Sequence, residues 1–151
     1  MYTQSLNREL NQWTLYSEGA EEGLPAKVPG SVYQALLDNG RMEDPYYRDN
    51  ELKALALMDR DYTYVTKFRP SEELKDLEEV LLRFEGIDTV ADIYLNDRLL
   101  DSVCNMHRTF EYSVKELLSV GPNELKVVLH SPTRYIHDAY EKLFIDGSSD
   151  A

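Results

Sequence analysis

Acidic side chains are the first candidates for chemistry in this sequence of 151 residues. Five carboxylates follow one another at short intervals: Glu85, Asp88, Asp92, Asp97 and Asp101. Two such groups can act as a general acid and a base, but one must be buried to raise its pKa, and a cleft must exclude water. The short strands and turns around these residues do not indicate such a cleft. We therefore expect no catalytic residue in this chain.

Histidine and cysteine offer little further chemistry. The three histidines, His107, His130 and His137, lack the close spacing and nearby carboxylate that are typical of a zinc site, so we expect structural or surface roles and no metal. Cys104 is the only cysteine; a residue of this kind is most often a small core residue. The sequence has neither a Gly-x-Ser-x-Gly elbow nor a glycine loop for phosphate, and we expect no cofactor.

One segment combines residue types that suit a binding site. Residues 43–60 are predicted to form a long surface loop with one helical turn through Leu52 to Leu57, and loops of this length are often functional. A stacking ring and several hydrogen-bonding groups, the means of holding a sugar, follow one another in Tyr47, Arg48, Asp49, Asn50 and Glu51. The alternative is a solvated loop whose charges satisfy one another.

Charge and composition exclude several classes of protein. With 16 basic against 28 acidic residues the net charge is −12, and no basic stripe is present, so nucleic-acid binding is not expected. No apolar stretch has the length of a membrane span, and residues 1–12 lack the apolar run of a signal peptide. A single cysteine allows no intrachain disulfide, which favours a cytoplasmic protein.

The elements that must position these groups are mostly β-strands. Alternating apolar residues predict strands over 61–69, 89–95 and 109–114, and a further strand with Leu125, Val127 and Leu129 on its inner face. Residues 80–84 are predicted to form a buried strand. Asn96-Asp97 is predicted to be a hairpin turn leading to Leu99-Leu100. Short strands with a turn every eight to twelve residues predict an all-β antiparallel sandwich.

Helices are predicted to be few and short. Ser31 as N-cap with Gln34 three residues later has the capping-box pattern, which predicts a helix over 31–39. We place a sandwich domain at 1–132, with an extended lead-in over 1–30 and strands from residue 61 on. Residues 133–151 are predicted to be a truncated tail, partly helical or disordered, in which Tyr135 to Phe144 have the pattern of an amphipathic helix.

Five motifs, in order over residues 10–132, resemble the β-mannosidases of glycoside hydrolase family 2. They are KVPGSVY at 27–33, EDPYYRDNE at 43–51, RFEGIDTVADIYLN at 83–96, NMHR at 105–108 and VLHSP at 128–132. Two departures are visible: Asp97 stands where the family usually has glycine, and Asp61-Tyr62 replaces the common Asp-Trp pair.

The resemblance implies a galactose-binding-domain-like jelly-roll sandwich with one or two short helices, the non-catalytic amino-terminal domain of a cytoplasmic bacterial enzyme. An immunoglobulin-like domain and a TIM barrel then follow in the same polypeptide. The barrel carries the two glutamates of a retaining mechanism, about 5 Å apart, and this chain is a fragment that shapes the pocket for a β-mannoside. Two alternatives stay open: a stand-alone carbohydrate-binding module and a purely structural interaction domain.

Overall fold

The computed structural model describes residues 12–142, with the side chain of Lys75 excepted. In that range the chain forms β1 (Trp13–Ser17), β2 (Leu24–Ala26), α1 (Val32–Asp38), α2 (Asn50–Leu57), β3 (Tyr62–Phe68), β4 (Leu81–Phe84), β5 (Val90–Leu95), β6 (Arg98–Cys104), β7 (Phe110–Ser113), β8 (Asn123–Leu129) and α3 (Pro132–Lys142). Two 3-10 turns, Glu72–Asp76 and Lys115–Leu117, join strands. The first part of the predicted lead-in, and the tail beyond residue 142, lie outside the described residues.

The strands form two layers. Six of them build one antiparallel sheet in the order β2-β1-β3-β8-β5-β6, and β4 pairs with β7 in a second, two-stranded sheet. One core joins both sheets, because Leu15 and Ile93 of the large sheet belong to the same buried cluster as Leu82 of the small one. The predicted all-β sandwich is confirmed.

Period-two alternation explains why these segments are strands. In β5, Ala91, Ile93 and Leu95 are all buried, while the residues between them are only half-buried. The hairpin after β5 is also confirmed: Asn96 and Asp97 have φ values of 50° and 61°, the left-handed pair that a two-residue type I′ turn requires.

Helix α1 begins as predicted but uses half of the capping box. The Ser31 Oγ atom accepts a hydrogen bond of 3.1 Å from the Gln34 amide. The Gln34 side chain does not return to Ser31; it donates to the Asp38 carboxylate at 2.6 Å. Gly40, with a φ of 64°, follows the C-cap, where a residue without Cβ is favoured.

Three local predictions need correction. Helix α2 begins at Asn50, earlier than the predicted turn at Leu52, because Asp49 occupies the N-cap and Glu51 favours the positive end of the helix. β4 is buried on one face only: Leu82 is 4% exposed, whereas Leu81 is 46% exposed. Cys104 is exposed and not a core residue, since its neighbour Val103 takes the inward position in β6.

The first turn of α3 is bonded to the sandwich. The helix begins at Pro132, and Thr133 Oγ1 donates to Asp59 at 3.0 Å. None of the helices within residues 12–142 is long and apolar enough to span a membrane.

Candidate functional site

The predicted sugar-binding segment is fastened to the sandwich at its carboxyl end. The Tyr62 hydroxyl, from β3, donates to the carbonyl oxygen of Leu57 at 2.8 Å. The Ser131 hydroxyl, just before α3, donates to the carbonyl of Met58 at 2.9 Å. Because these bonds reach α2 from two different elements, the helix has a fixed position on the end of the sandwich.

The amino end of the same segment is a turn built on Asp44. The Asp44 carboxylate accepts a hydrogen bond from the Tyr46 amide at 2.9 Å. The Asn50 side-chain amide donates to the Asp44 carbonyl at 3.0 Å. Asn50 therefore holds the turn closed through a hydrogen bond at the surface of the protein.

Two aromatic rings project from this turn. Tyr46 is 97% exposed and Tyr47 is 59% exposed. The Arg48 guanidinium lies 5.1 Å from the centroid of the Tyr47 ring, a cation–π contact that gives the ring a fixed neighbour. The structure thus brings Tyr47 and Arg48 together, in a turn where Arg48 has a φ of 52°.

The remaining predicted residues of the segment belong to α2. Asp49 is the N-cap of the helix, although its side chain makes no capping hydrogen bond. Glu51 lies in the first turn of α2 and is exposed. Leu52 and Leu55, one helical turn apart, are also exposed, so this end of the molecule presents rings and aliphatic side chains together.

A charged network beside this segment was missed by the sequence analysis. His130 lies between two carboxylates: Nδ1 is 2.9 Å from an oxygen of Asp61, and Nε2 is 3.0 Å from an oxygen of Asp92. An ionised carboxylate can only accept hydrogen bonds. The bonds to Asp61 and Asp92 therefore form together when both ring nitrogens of His130 carry a proton. Burial lowers the pKa of His130, but the two carboxylates outweigh burial and the net pKa is raised.

Asp61 is the hub of this network. It also accepts hydrogen bonds from the Ser131 amide and from Arg134, both at 2.8 Å. Burial would raise the pKa of Asp61, but these bonds, with His130, leave it below its ordinary value. Arg134 in turn binds Glu18 at 2.6 Å, so the network ties α3 to the end of β1 and to the start of β3.

Of the five carboxylates of the sequence analysis, Glu85 and Asp88 line one cavity and the other three do not. Glu85, Asp88, Asp97 and Asp101 are exposed. Asp92 is half-buried; a hydrogen bond from Ser102 and the bond to His130 outweigh burial and lower its pKa. Among residues 12–142 no three histidine, cysteine or acidic side chains converge in a way that would hold a metal ion.

One sizeable cavity, of about 560 Å³, opens next to the network. His130 and Pro132 line it on one side, and Trp13, Tyr62 and Tyr64 line it from the large sheet. Its volume lies within the range of small-ligand pockets.

Residues 13–146 match the sequence profile of the family described as glycosyl hydrolase 2 galactose-binding domain-like. This chain belongs to that family. The match covers most of the residues whose fold is described above, and it confirms the resemblance drawn from the five motifs.

Two similar proteins show what fraction of a longer polypeptide corresponds to this chain. β-Mannosidase of Capra hircus is 32% identical over 130 residues, which cover 86% of this chain and 15% of that protein. The crystal structure of β-D-mannosidase from Dictyoglomus thermophilum superposes with a TM-score of 0.87 at 33% identity, over 94% of this chain and 18% of that one. The chain spans less than a fifth of either relative.

A more distant structure shares the fold alone. The β-glucuronidase of Bifidobacterium dentium superposes with a TM-score of 0.60 at 23% identity, over 81% of this chain and 20% of that one. The galactose-binding-like sandwich of this family is therefore shared by enzymes whose names give different sugars.

Proposed function

We propose that this chain is the non-catalytic, amino-terminal domain of a larger retaining β-mannosidase, which hydrolyses terminal β-mannosides. The observation that carries the proposal is the pairing of about one-third identity across nearly the whole chain with coverage of only 15% and 18% of the two β-mannosidases. In the proposed enzyme an immunoglobulin-like domain and a TIM barrel with the two catalytic glutamates follow, and β-mannoside binds in the barrel.

The contribution of this domain to the pocket is the segment from Asp44 to Leu57. Its carboxyl end is fixed by Tyr62 and Ser131, and its amino end projects Tyr46 and Tyr47 into solvent. A rigid base with exposed rings is what a positioning segment at a domain boundary requires. We propose that Tyr47, Arg48, Asp49, Asn50 and Glu51 face the sugar-binding side of the whole enzyme.

The test is kinetic and uses the whole enzyme. Tyr47→Ala removes a ring contact, for which a rise in KM for an aryl β-mannoside of roughly fivefold, ~1 kcal/mol, is expected with kcat little changed. Asn50→Ala opens the Asp44 turn and should raise KM in the same direction. Leu99→Ala, on the half-exposed Leu99 of β6, is the matched control. An unchanged KM in both loop variants would remove the segment from the pocket.

A stand-alone carbohydrate-binding module is the second candidate, and the neighbouring exposed rings of Tyr46 and Tyr47 are the observation that favours it. In that case the 151-residue chain binds β-mannan oligosaccharides in a calorimeter, and Tyr46→Ala or Tyr47→Ala abolishes binding. The first proposal expects no measurable binding to the isolated chain. A purely structural interaction domain would show neither sugar binding nor an effect of the loop variants on KM.

We further propose that the protein works in the bacterial cytoplasm and that the sandwich proper ends near residue 132. The unpaired thiol of Cys104 supports a reducing compartment. Cell fractionation with thiol labelling of Cys104 tests the compartment, since a secreted protein would be recovered outside the cytoplasmic fraction.

A further inference from the structure

The link between α2 and β3 runs from Met58 to Asp61 and is bonded along its length to the residues that join β8 to α3. The Ser131 hydroxyl donates to the carbonyl of Met58 at 2.9 Å, and Thr133 donates to the Asp59 carboxylate at 3.0 Å. At the other end of the link, the Asp61 carboxylate accepts a hydrogen bond from the Ser131 amide at 2.8 Å. Because the link is short, a displacement of Asp61 is passed on to the carboxyl end of α2.

The imidazole of His130 supplies a further bond to this link. Its Nδ1 atom is 2.9 Å from an oxygen of Asp61, and its Nε2 atom is 3.0 Å from an oxygen of Asp92 on β5. The backbone of His130 is fixed as well, because its amide donates to the carbonyl of Val90 at 2.9 Å. The ring therefore bridges the link to β5, and it does so fully only with a proton on each nitrogen.

Charged groups surround the ring on several elements. Arg134 of α3 donates to Asp61 at 2.8 Å and to Glu18, which follows β1, at 2.6 Å. The other charged groups around the site, on the link and on the wall of the cavity that the ring borders, are Asp59, Arg60, Arg83, Glu85 and Asp88. Among the charged residues that the structure describes, Asp61 and Asp92 are the two that form ion pairs with the ring. These two carboxylates therefore dominate its protonation.

The two carboxylates attract the ring protons unequally. The charge of Asp61 is balanced by Arg134 at 2.8 Å, whereas Asp92 has beside the ring the neutral hydroxyl of Ser102 at 2.5 Å. A neutral imidazole keeps one N–H group, and the carboxylate whose charge is less balanced attracts that donor more strongly. The neutral ring of His130 therefore keeps the proton on Nε2 and gives the proton of Nδ1 to water, which reaches the half-buried ring. The Nδ1 lone pair and the Asp61 oxygen then face each other without a hydrogen between them.

Helix α2 is able to respond to such a change. Ala54 is its one buried residue, and Leu52 and Leu55 are exposed, so a small displacement of the helix costs little apolar packing. The adjacent residues His130 and Ser131 hold the two ends of the link, so a change at the ring acts on the helix and not only on the strands.

We propose that His130 is a positioning residue for the sugar-binding segment: the proton on its Nδ1 atom holds Asp61, and loss of that proton loosens the link and displaces α2. The displaced segment no longer presents Tyr47 and Arg48 in the place that suits the substrate. This inference rests on the proposed function, because it requires that the segment faces the sugar. Burial lowers the pKa of His130, but the two carboxylates raise it on balance, so substrate binding weakens as pH rises above about 6.5.

The Michaelis constant of the whole enzyme at two pH values tests the proposal. In His130→Gln the side-chain amide has one donor and one acceptor atom, so it cannot hold both carboxylates at any pH. The KM of this variant for an aryl β-mannoside should exceed that of the wild type about threefold at pH 6 and should equal it at pH 8.5, with kcat unchanged at each pH. His137→Gln, on the exposed part of α3, is the matched control and should follow the wild type at both pH values.

Asp92→Asn is expected to restore binding at high pH. The introduced amide oxygen can accept from Ser102 as the carboxylate does, and the introduced NH₂ group can donate to Nε2 of the neutral ring. Nδ1 then keeps its proton for Asp61, so KM at pH 8.5 should be about threefold lower than that of the wild type. A loss of stability alone would not lower KM, so this variant separates positioning from simple stabilisation.

Nuclear magnetic resonance of the 151-residue chain gives a readout that does not depend on activity. The ring ¹⁵N shifts of His130 should show the neutral ring protonated at Nε2, and the backbone amides of Leu57 and Met58 should titrate with the midpoint of the ring. In Asp92→Asn the neutral ring should be protonated at Nδ1, and the two amides should move less. The amide of Val127, which lies within β8 between β3 and β5, is the internal control.

The outcomes separate this inference from the proposed function. If Tyr47→Ala raises KM but the ratio of KM between His130→Gln and the wild type is the same at both pH values, the positioning role is overturned and the segment stays in the pocket. If the amides titrate with the ring but neither variant changes KM, the segment does not face the sugar and both proposals fail. A neutral wild-type ring that is protonated at Nδ1 also overturns the inference.

Discussion

His130 makes the stability of this domain depend on pH. Its raised pKa means that the fold prefers the charged ring, so its contribution is complete below the unfolded pKa of 6.5 and is lost as pH rises through the higher folded pKa. The lowered pKa values of Asp61 and Asp92 act in the opposite sense: their contribution is present above an unfolded pKa of 3.8 and is lost as pH falls. The network therefore stabilises the folded domain most between about pH 4 and 6.5.

We therefore expect the unfolding temperature of the 151-residue chain to fall between pH 6 and pH 8.5. His130→Gln should be less stable than the wild type at pH 6 by about 1–2 kcal/mol and should lose most of this pH dependence. His137→Gln is the control, because His137 is exposed on α3, where its ring lies 3.4 Å from the equally exposed Glu141 carboxylate. Thermal unfolding followed by circular dichroism at constant ionic strength measures both. A flat wild-type profile would contradict the assignment.

Asn123 is the buried polar residue on which two turns depend. Its side chain, 1% exposed, donates to the carbonyls of Ser119 and Gly121, both at 3.0 Å. It accepts from the Ser119 amide at 2.8 Å and from Asn96 at 2.7 Å. Asn123→Ala leaves these groups unpaired, so the free energy of unfolding should fall by about 2–4 kcal/mol in a urea titration. Asn105→Ala, in an exposed turn, should cost about 0.5 kcal/mol; equal losses would show that burial is not the cause.

At the scale of elements, the hairpin between β5 and β6 carries an avoidable strain. Asp97 has a φ of 61°, where glycine is favoured, and its ion pair with Lys126 is largely exposed. Asp97→Gly should raise the free energy of unfolding by about 0.5 kcal/mol, since relief of the turn exceeds the extra freedom of the unfolded chain. Asp97→Ala is the control and should lower it, because alanine keeps the strain without the ion pair. Urea titration measures the free energy of unfolding of both variants. A lower value in both would show that the ion pair with Lys126 contributes more than the strain of the turn.

The strands that were predicted best are those in which every second residue is apolar and buried. β5 was recognisable because Ala91, Ile93 and Leu95 alternate without interruption, and all three are buried. β2, of three residues with Pro25 at its centre, was not predicted, since its pairing depends on β1 and not on a pattern of its own. β6 was predicted only around Leu99-Leu100, because Val103 is the one buried residue of its seven.

The charged network had no local signal. His130 is separated from Asp61 by 69 residues and from Asp92 by 38, and the three meet because β8 pairs with both β3 and β5. The segment around Tyr47 was recognisable by its residue types, but the bond by which Asn50 closes the Asp44 turn was not. Residue type thus indicated where binding chemistry is concentrated, and only the strand pairing showed which charges are neutralised within the fold.

At the scale of the whole molecule, the carboxyl groups decide whether this domain can act alone. A retaining glycosidase needs one carboxyl with a raised pKa as its acid and a second about 5 Å away as its nucleophile. Hydrogen bonds to Arg134 lower the pKa of Glu18, and those of Asp61 and Asp92 are lowered as well. Carboxyl groups with lowered pKa values are suited to ion pairs, whereas a general acid needs a raised pKa.

We therefore expect the 151-residue chain to release 4-nitrophenol from 4-nitrophenyl β-mannoside no faster than buffer between pH 5 and pH 7, whereas the whole enzyme turns it over under the same conditions. The absorbance of 4-nitrophenolate after quenching with base measures both. Turnover by the isolated chain that survives repurification and is abolished by Asp61→Asn or Asp92→Asn would place catalysis in this domain. Asp61 and Asp92 are held beside the cavity through His130, whereas Glu85 and Asp88 line it directly. Turnover unaffected by these two variants and also by Glu85→Gln and Asp88→Asn would point to a contaminating glycosidase.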